Sequence, residues 1–205
     1  MRKLTIATSN PHKVEEISAI LGPLGFDCRA LDDRRVPEPE EDGATFEENA
    51  RIKAVAYARA LGETVLADDS GLEVDALGGA PGVHSARYAG IGEAREERDR
   101  ANNAKLLAAL EGIPDARRTA RFVCVLCVAR PDGTVVAEAR GTFDGVIGHA
   151  PRGSNGFGYD PLLVLDDGRT SAELPSAEKN ARSHRGNALR VLVGTLPAAL
   201  GLSPS

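Results

Sequence analysis

Two changes of hydrophobic period near the start of the chain constrain its fold class most. Lys3–Thr8 is a short β-like run, and Val14, Ile17, Leu21 and Leu24 follow it at helical spacing. Between them, Ser9-Asn10-Pro11-His12-Lys13 predicts Asn10 as the N-cap, with Pro11 at the first helical position. Thr45 and Glu48 have capping-box spacing and predict a second helix that runs to about Leu61, before Gly62. Thr64–Ala67 reads as the next strand, running straight into Asp68-Asp69-Ser70-Gly71. Strand, helix and strand in that order make the unit of a parallel sheet. Residues 78–92 carry five glycines and read as irregular chain, and residues 93–111 read as a helix. Arg121–Ala129 and Thr134–Arg140 flank Pro131-Asp132-Gly133, a hairpin signal. Gly153–Asp160 is Gly-rich, and a last helix starts near His184 and carries Leu189, Leu192 and Leu196. Parallel order early and a hairpin later predict an α/β fold with a mixed sheet. No repeat, low-complexity tract or linker interrupts the 205 residues, so 1–205 reads as one domain.

Charge and composition narrow the partners. A net charge of −5 argues against a nucleic acid polymer, which needs a basic face. A small anionic substrate remains open, because a local cluster of Lys and Arg suffices for it. The N-terminal run Leu4–Thr8 is too short for a signal-peptide core, and no stretch approaches the length of a membrane span. The expected location is the cytoplasm, away from membranes. Cys28, Cys124 and Cys127 fit a reducing compartment. Cys124 and Cys127 form a C-x-x-C inside the apolar run Phe122–Ala129 with no second ligand pair, so they read as buried thiols rather than a zinc site.

Several clusters carry chemistry. The turn before the first helix offers unpaired backbone N–H groups, to which Lys13 adds a full charge, and that suits phosphate. The competing reading is a capped surface helix with a stray lysine. In the second helix Phe46, Ala50, Ala54, Tyr57 and Leu61 share a face, with Lys53 in its middle and Asn49 beside it. A lysine there either snorkels to a rim or binds phosphate at a cleft wall. Upstream, Glu38, Glu40, Glu41 and Asp42 read as a solvated loop or as the source of one metal carboxylate. The sharpest signal is Asp68-Asp69-Ser70-Gly71. Strand alternation sends the two carboxylates to opposite sides, so one of them would meet Mg²⁺ and orient or deprotonate water. The bland alternative is an Asx turn or a helix cap. Phe157 and Tyr159, within Gly153–Asp160, suit a base or sugar platform in a chain only 4% aromatic. Lys179, His184 and Arg185 gather donors suited to keto oxygens or phosphates.

Together these runs resemble the inosine/xanthosine triphosphate pyrophosphatase family (Ham1-like). The resemblance covers residues 4 to about 195. It is carried by Thr8–Lys13, Glu41–Ala50, Leu66–Leu72, Gly78–Val83, Ser85–Tyr88, Gly156–Asp160 and Ser183–Gly186. It implies an elongated mixed α/β fold whose two lobes enclose a central cleft, usually as a homodimer. The implied reaction splits ITP, dITP or XTP into the monophosphate and pyrophosphate with Mg²⁺, one ion or more per subunit, to cleanse the nucleotide pool. On that resemblance Thr8, Ser9, Asn10, Pro11, His12, Lys13 and Lys53 hold the triphosphate, and Lys53 is grouped with the catalytic residues. Asp69 serves as general base and metal ligand, Glu41 as a second metal ligand, and Ser70 touches substrate. Phe157, Gly158, Tyr159, Asp160, Lys179, His184 and Arg185 surround the purine. Donors facing the C6 oxygen would leave adenine's amino group unpaired. Two rival readings are a catalytically silent nucleotide sensor on the same fold and a pyrophosphatase for modified pyrimidines or methylated nucleotides.

Overall fold

The structure is a computed structural model that describes residues 2–31 and 36–199. Its strands are β1 (Arg2–Ala7), β2 (Phe26–Ala30), β3 (Val65–Val74), β4 (Thr119–Ala129), β5 (Val135–Ile147) and β6 (Leu163–Val164). The α-helices are α1 (Pro11–Leu21), α2 (Phe46–Leu61), α3 (Arg95–Ala109), α4 (Ser176–Arg182) and α5 (His184–Ala199). The strands form one six-stranded sheet in the order β2-β1-β3-β4-β5-β6. β1 pairs in parallel with β2 and with β3, whereas β5 and β6 are antiparallel. The fold is therefore α/β with a mixed sheet flanked by helices, as the sequence predicts. Among the described residues no helix is long and apolar enough to cross a membrane.

The chain divides into two compact units, and the boundaries between them fall inside β3, β4 and β5 and between α4 and α5. Among the described residues the first comprises 2–31, 36–69, 124–141 and 183–199, and the second 70–123 and 142–182. In the first unit Ile17 and Leu21 of α1 and Leu189, Leu192 and Leu196 of α5 pack with Leu4, Ile6, Leu66, Leu126 and Val128 of the strands. The second unit has its own core around Leu72, Leu106, Leu110, Phe122, Phe143 and Leu162. Local rules explain much of this. Thr45 and Glu48 form the reciprocal capping box that starts α2, with Glu48 N–H to Thr45 Oγ1 and Thr45 N–H to Glu48 Oε2 both at 3.2 Å. Gly62 ends that helix in the left-handed conformation. Gly141 lies where α5 rests on β5. A Cβ there would collide with the backbone of His184 and Ala188 and come within 2.9 Å of Asn187 C.

Several elements depart from expectation. β3 does not stop at Ala67 but continues to Val74, which puts both aspartates in the strand interior. Asp is a poor strand former, and here its charge partners outweigh the preference. β5 likewise extends past Arg140 to Ile147. β2, at the sheet edge, has no clean alternation of buried and exposed residues, and α4 is too short to show a period.

Cys124 and Cys127 are buried and free. Burial pushes both thiols up to about 12, the nearby Glu138 adding to the effect at Cys127. Iodoacetamide at pH 8 is therefore expected to leave both unmodified in the native protein and to label all three cysteines after unfolding. Mass spectrometry checks this, and rapid native labelling at position 124 or 127 would contradict it.

Candidate active site

Thr8, Ser9 and Asn10 turn the chain from β1 into α1. Asn10 Oδ1 accepts the His12 N–H at 3.1 Å, and Thr8 Oγ1 accepts the Asn10 N–H at 3.2 Å. Pro11 takes the first helical position, where no N–H is needed. Ser9, Pro11 and His12 are exposed, and the half-buried Lys13 reaches Asp68 Oδ1 at 2.9 Å. The other oxygen of Asp68 accepts from Arg185 Nη2 at 3.0 Å, and the same guanidinium also pairs with Glu16 of α1. Asp68 and Arg185 are both almost wholly buried. Burial opposes ionisation of Asp68, but Lys13, Arg185 and Lys53 outweigh it and hold the carboxyl well below the usual range.

Asp69 points to the other side of β3, as alternation requires. Its Oδ1 accepts from Lys53 Nζ at 2.8 Å, and Lys53 also reaches Glu41 Oε2 at 3.1 Å. Asp69 Oδ2 is buried and has no hydrogen-bond partner among the described residues. Burial raises the Asp69 carboxyl above its ordinary range, and the Lys53 charge offsets this only in part. Burial alone would lower Lys53, but the carboxylates of Asp69, Asp68 and Glu41 raise it, so it stays an ammonium. The two adjacent aspartates are thus driven in opposite directions. Asn49 Oδ1 accepts the Gly43 N–H at 2.9 Å, tying the segment that carries Glu41 to α2. A Cβ on Gly43 would lie 2.6 Å from that same oxygen, so the chain passes too close for a side chain.

Among the described residues no group of three or more His, Cys, Asp or Glu side chains is arranged to hold a metal. Mg²⁺ does not need one, since it is commonly bound by one or two carboxylates with phosphate oxygens and water. The unpartnered Asp69 Oδ2, with Glu41 sharing the same lysine, fits that requirement.

In the second unit Asp160 organises the aromatic segment. Its buried carboxylate accepts from Lys179 Nζ at 2.6 Å, Ser171 Oγ at 2.7 Å and the Phe157 N–H at 2.8 Å. Lys179 is buried too, with its ammonium 5.2 Å from the Phe157 ring centroid. Gly156 has φ +76°, and a Cβ there would run into the Asp160 carboxylate. Tyr159 is buried and donates from its hydroxyl to the Ser85 carbonyl at 2.9 Å, with burial raising its pKa. Ser70 is half-buried in β3, next to Gly71. A Cβ on Gly71 would approach the Gly82 carbonyl to 2.6 Å, so the turn at 82–87 packs directly on the strand.

The structure brings Asp69, Lys53 and Glu41 together, sets Lys13 and Arg185 on Asp68, and joins Lys179 and Phe157 to Asp160. His184 is buried at the start of α5. Arg185, expected beside the purine, has its guanidinium on Asp68 and Glu16. Of the four acidic residues upstream of α2, Glu41 is the one whose carboxylate pairs with Lys53 among the described contacts. Glu16 and Ser171 escape the sequence reading. Glu16 lies one turn beyond Lys13 on the same face of α1.

The sequence profile of the Ham1 family matches residues 4–195. The dITP/XTP pyrophosphatase of an Exiguobacterium species is 55% identical over 192 residues, which is 93% of this chain and 94% of that protein. The dITP/XTP pyrophosphatase of Bacillus subtilis is 48% identical over 200 residues, 97% and 98% of the two chains. A HAM1 protein structure from Coxiella burnetii superposes with a TM-score of 0.85 at 41% identity, covering 97% of this chain and 100% of the other. Profile, relatives and superposition agree along nearly the whole length, and the chain belongs to the Ham1 family.

Proposed function

We propose that this protein hydrolyses dITP, ITP and XTP to the corresponding monophosphate and pyrophosphate, with Mg²⁺ as cofactor and a homodimer as the assembly. The reaction is that of the dITP/XTP pyrophosphatases it resembles at about half identity over nearly full length. The observation that ties this reaction to the chain's own atoms is the Asp69 carboxylate. One oxygen is held by Lys53, and the other is buried without a partner.

In this reading Asp69 accepts a proton from water, whose oxygen then bonds to the α-phosphorus. The bond from that phosphorus to its bridging oxygen breaks, and pyrophosphate leaves. In the chain without metal, burial raises the Asp69 carboxyl above its ordinary range, which favours its taking up a proton. Asp68, held ionised by Lys13 and Arg185, keeps those cations in place. Opposed environments on two neighbouring carboxyls are how one site separates a base from a support. Asp69 and Glu41 would hold Mg²⁺, which supplies charge neutralisation and polarisation at the phosphates. Lys53 and Lys13, with the N-terminus of α1, would take the remaining phosphate charge. Phe157 would stack on the purine, and Lys179 and His184 would offer donors to the C6 oxygen.

The test is direct. With Mg²⁺ present, dITP, ITP and XTP are expected to yield pyrophosphate at least about a hundredfold faster than ATP, the discrimination that an unpaired polar group at the base supports. Orthophosphate as the primary product, or ATP as the best substrate, would refute the assignment.

A further inference from the structure

Resting on the reading above, in which Phe157 stacks on the purine, we propose that Asp99 and Asn103 of α3 are positioning residues for that platform. They lie four residues apart and so project from one face of the helix. Asp99 Oδ2 accepts the Gly158 N–H at 2.9 Å, and Asn103 Nδ2 donates to the Gly158 carbonyl at 3.0 Å. One helix face therefore holds both backbone polar groups of the residue that follows the ring. Gly158 has φ +63°, a conformation that costs other residues strain, and the two bonds fix it. On the other side Phe157 is fixed by its own N–H, donated to Asp160. Arg95, one turn before Asp99 on the same face, has its guanidinium 5.8 Å from the Phe157 ring centroid. The ring thus has its backbone anchored on both sides, and half of that anchorage comes from α3.

The orientation of Asn103 follows from chemistry. A flipped amide would set Oδ1 against the Gly158 carbonyl oxygen, acceptor against acceptor. Oδ1 itself is buried without a hydrogen-bond partner among the described residues. The bond to Gly158 is therefore the amide's contribution to holding the loop.

Three substitutions separate this role from general packing. Asn103→Asp keeps the shape but replaces the donor by an acceptor, and Asp99→Ala removes the acceptor. Asp99→Asn retains an oxygen that can accept from Gly158. In Asn103→Asp and Asp99→Ala, amide hydrogen exchange at residues 157–159 is expected to speed up, while exchange in β1 and β3 stays unchanged. KM for ITP is expected to rise about tenfold with kcat within about twofold, the size of effect that one lost hydrogen bond carries. Asp99→Asn is expected to restore most of both. Unchanged exchange at 157–159 would overturn the clamp. Faster exchange there with an unchanged KM would overturn its role in substrate binding. If the unaltered protein does not hydrolyse ITP, the functional reading falls on that result alone, and the exchange data still decide whether the clamp exists.

Discussion

Asp69→Asn is expected to lower kcat for dITP by about a thousandfold, within the range general-base catalysis supplies, and to leave nucleotide binding largely intact. The substitution keeps the side-chain volume and one oxygen for Lys53, so what it removes is the negative charge and with it the capacity to take a proton. The effect on stability has two opposing parts: burial disfavours the Asp69 charge, while losing that charge leaves the buried Lys53 with Glu41 alone. At pH 7 the asparagine variant is therefore expected to melt close to the wild type. Single-turnover kinetics and a thermal melt on the same sample check both halves. A fully active variant would take Asp69 out of the mechanism, and a large loss of stability would mean that its charge supports the fold.

Asp68→Asn, one residue earlier, is expected to show the opposite signature. Arg185 is wholly buried on Asp68 and Glu16, and Lys13 depends on the same carboxylate. Removing one partner of a buried charge pair commonly costs about 3–5 kcal/mol, because the remaining charge is left in a poor solvent. The pH dependence has a definite sign. The folded pKa of Asp68 is depressed, so its stabilisation is complete above the unfolded value of about 3.9 and is lost as pH falls toward the folded value. The gap between wild type and variant is expected to be flat from neutral pH down to about 5 and to narrow below about 4. Denaturant unfolding across that range measures it. A constant gap down to strongly acidic pH would show that Asp68 does not act through its charge.

The contrast also marks where sequence reading works. The strand-to-helix turn, the Thr45–Glu48 capping box, the hairpin at 130–134 and the opposite facing of Asp68 and Asp69 all follow from rules that span a few residues. The helical wheel of α2 placed Lys53 in the middle of a buried face, and the structure finds it buried between two carboxylates. Interactions between distant positions left no such trace. Nothing near Glu16 announces Arg185, and nothing near Gly158 announces Asp99 and Asn103. The length of β3 was hidden for a related reason. Two aspartates read locally as a strand end, and only the cations that arrive from α1, α2 and α5 let the strand continue through them.

Gly141 shows how far a site can extend beyond its chemistry. It bears no functional group, and its whole contribution is the absence of one carbon where α5 rests on β5. Arg185 rides on the first turn of that helix, so the seating of the helix sets the reach of the guanidinium to Asp68. A methyl group added at 141 would act as a wedge under α5 and disturb the charge balance at Asp68 in β3. In an inherited variant of such a protein, this unremarkable glycine would belong with the carboxylates among the positions least tolerant of change.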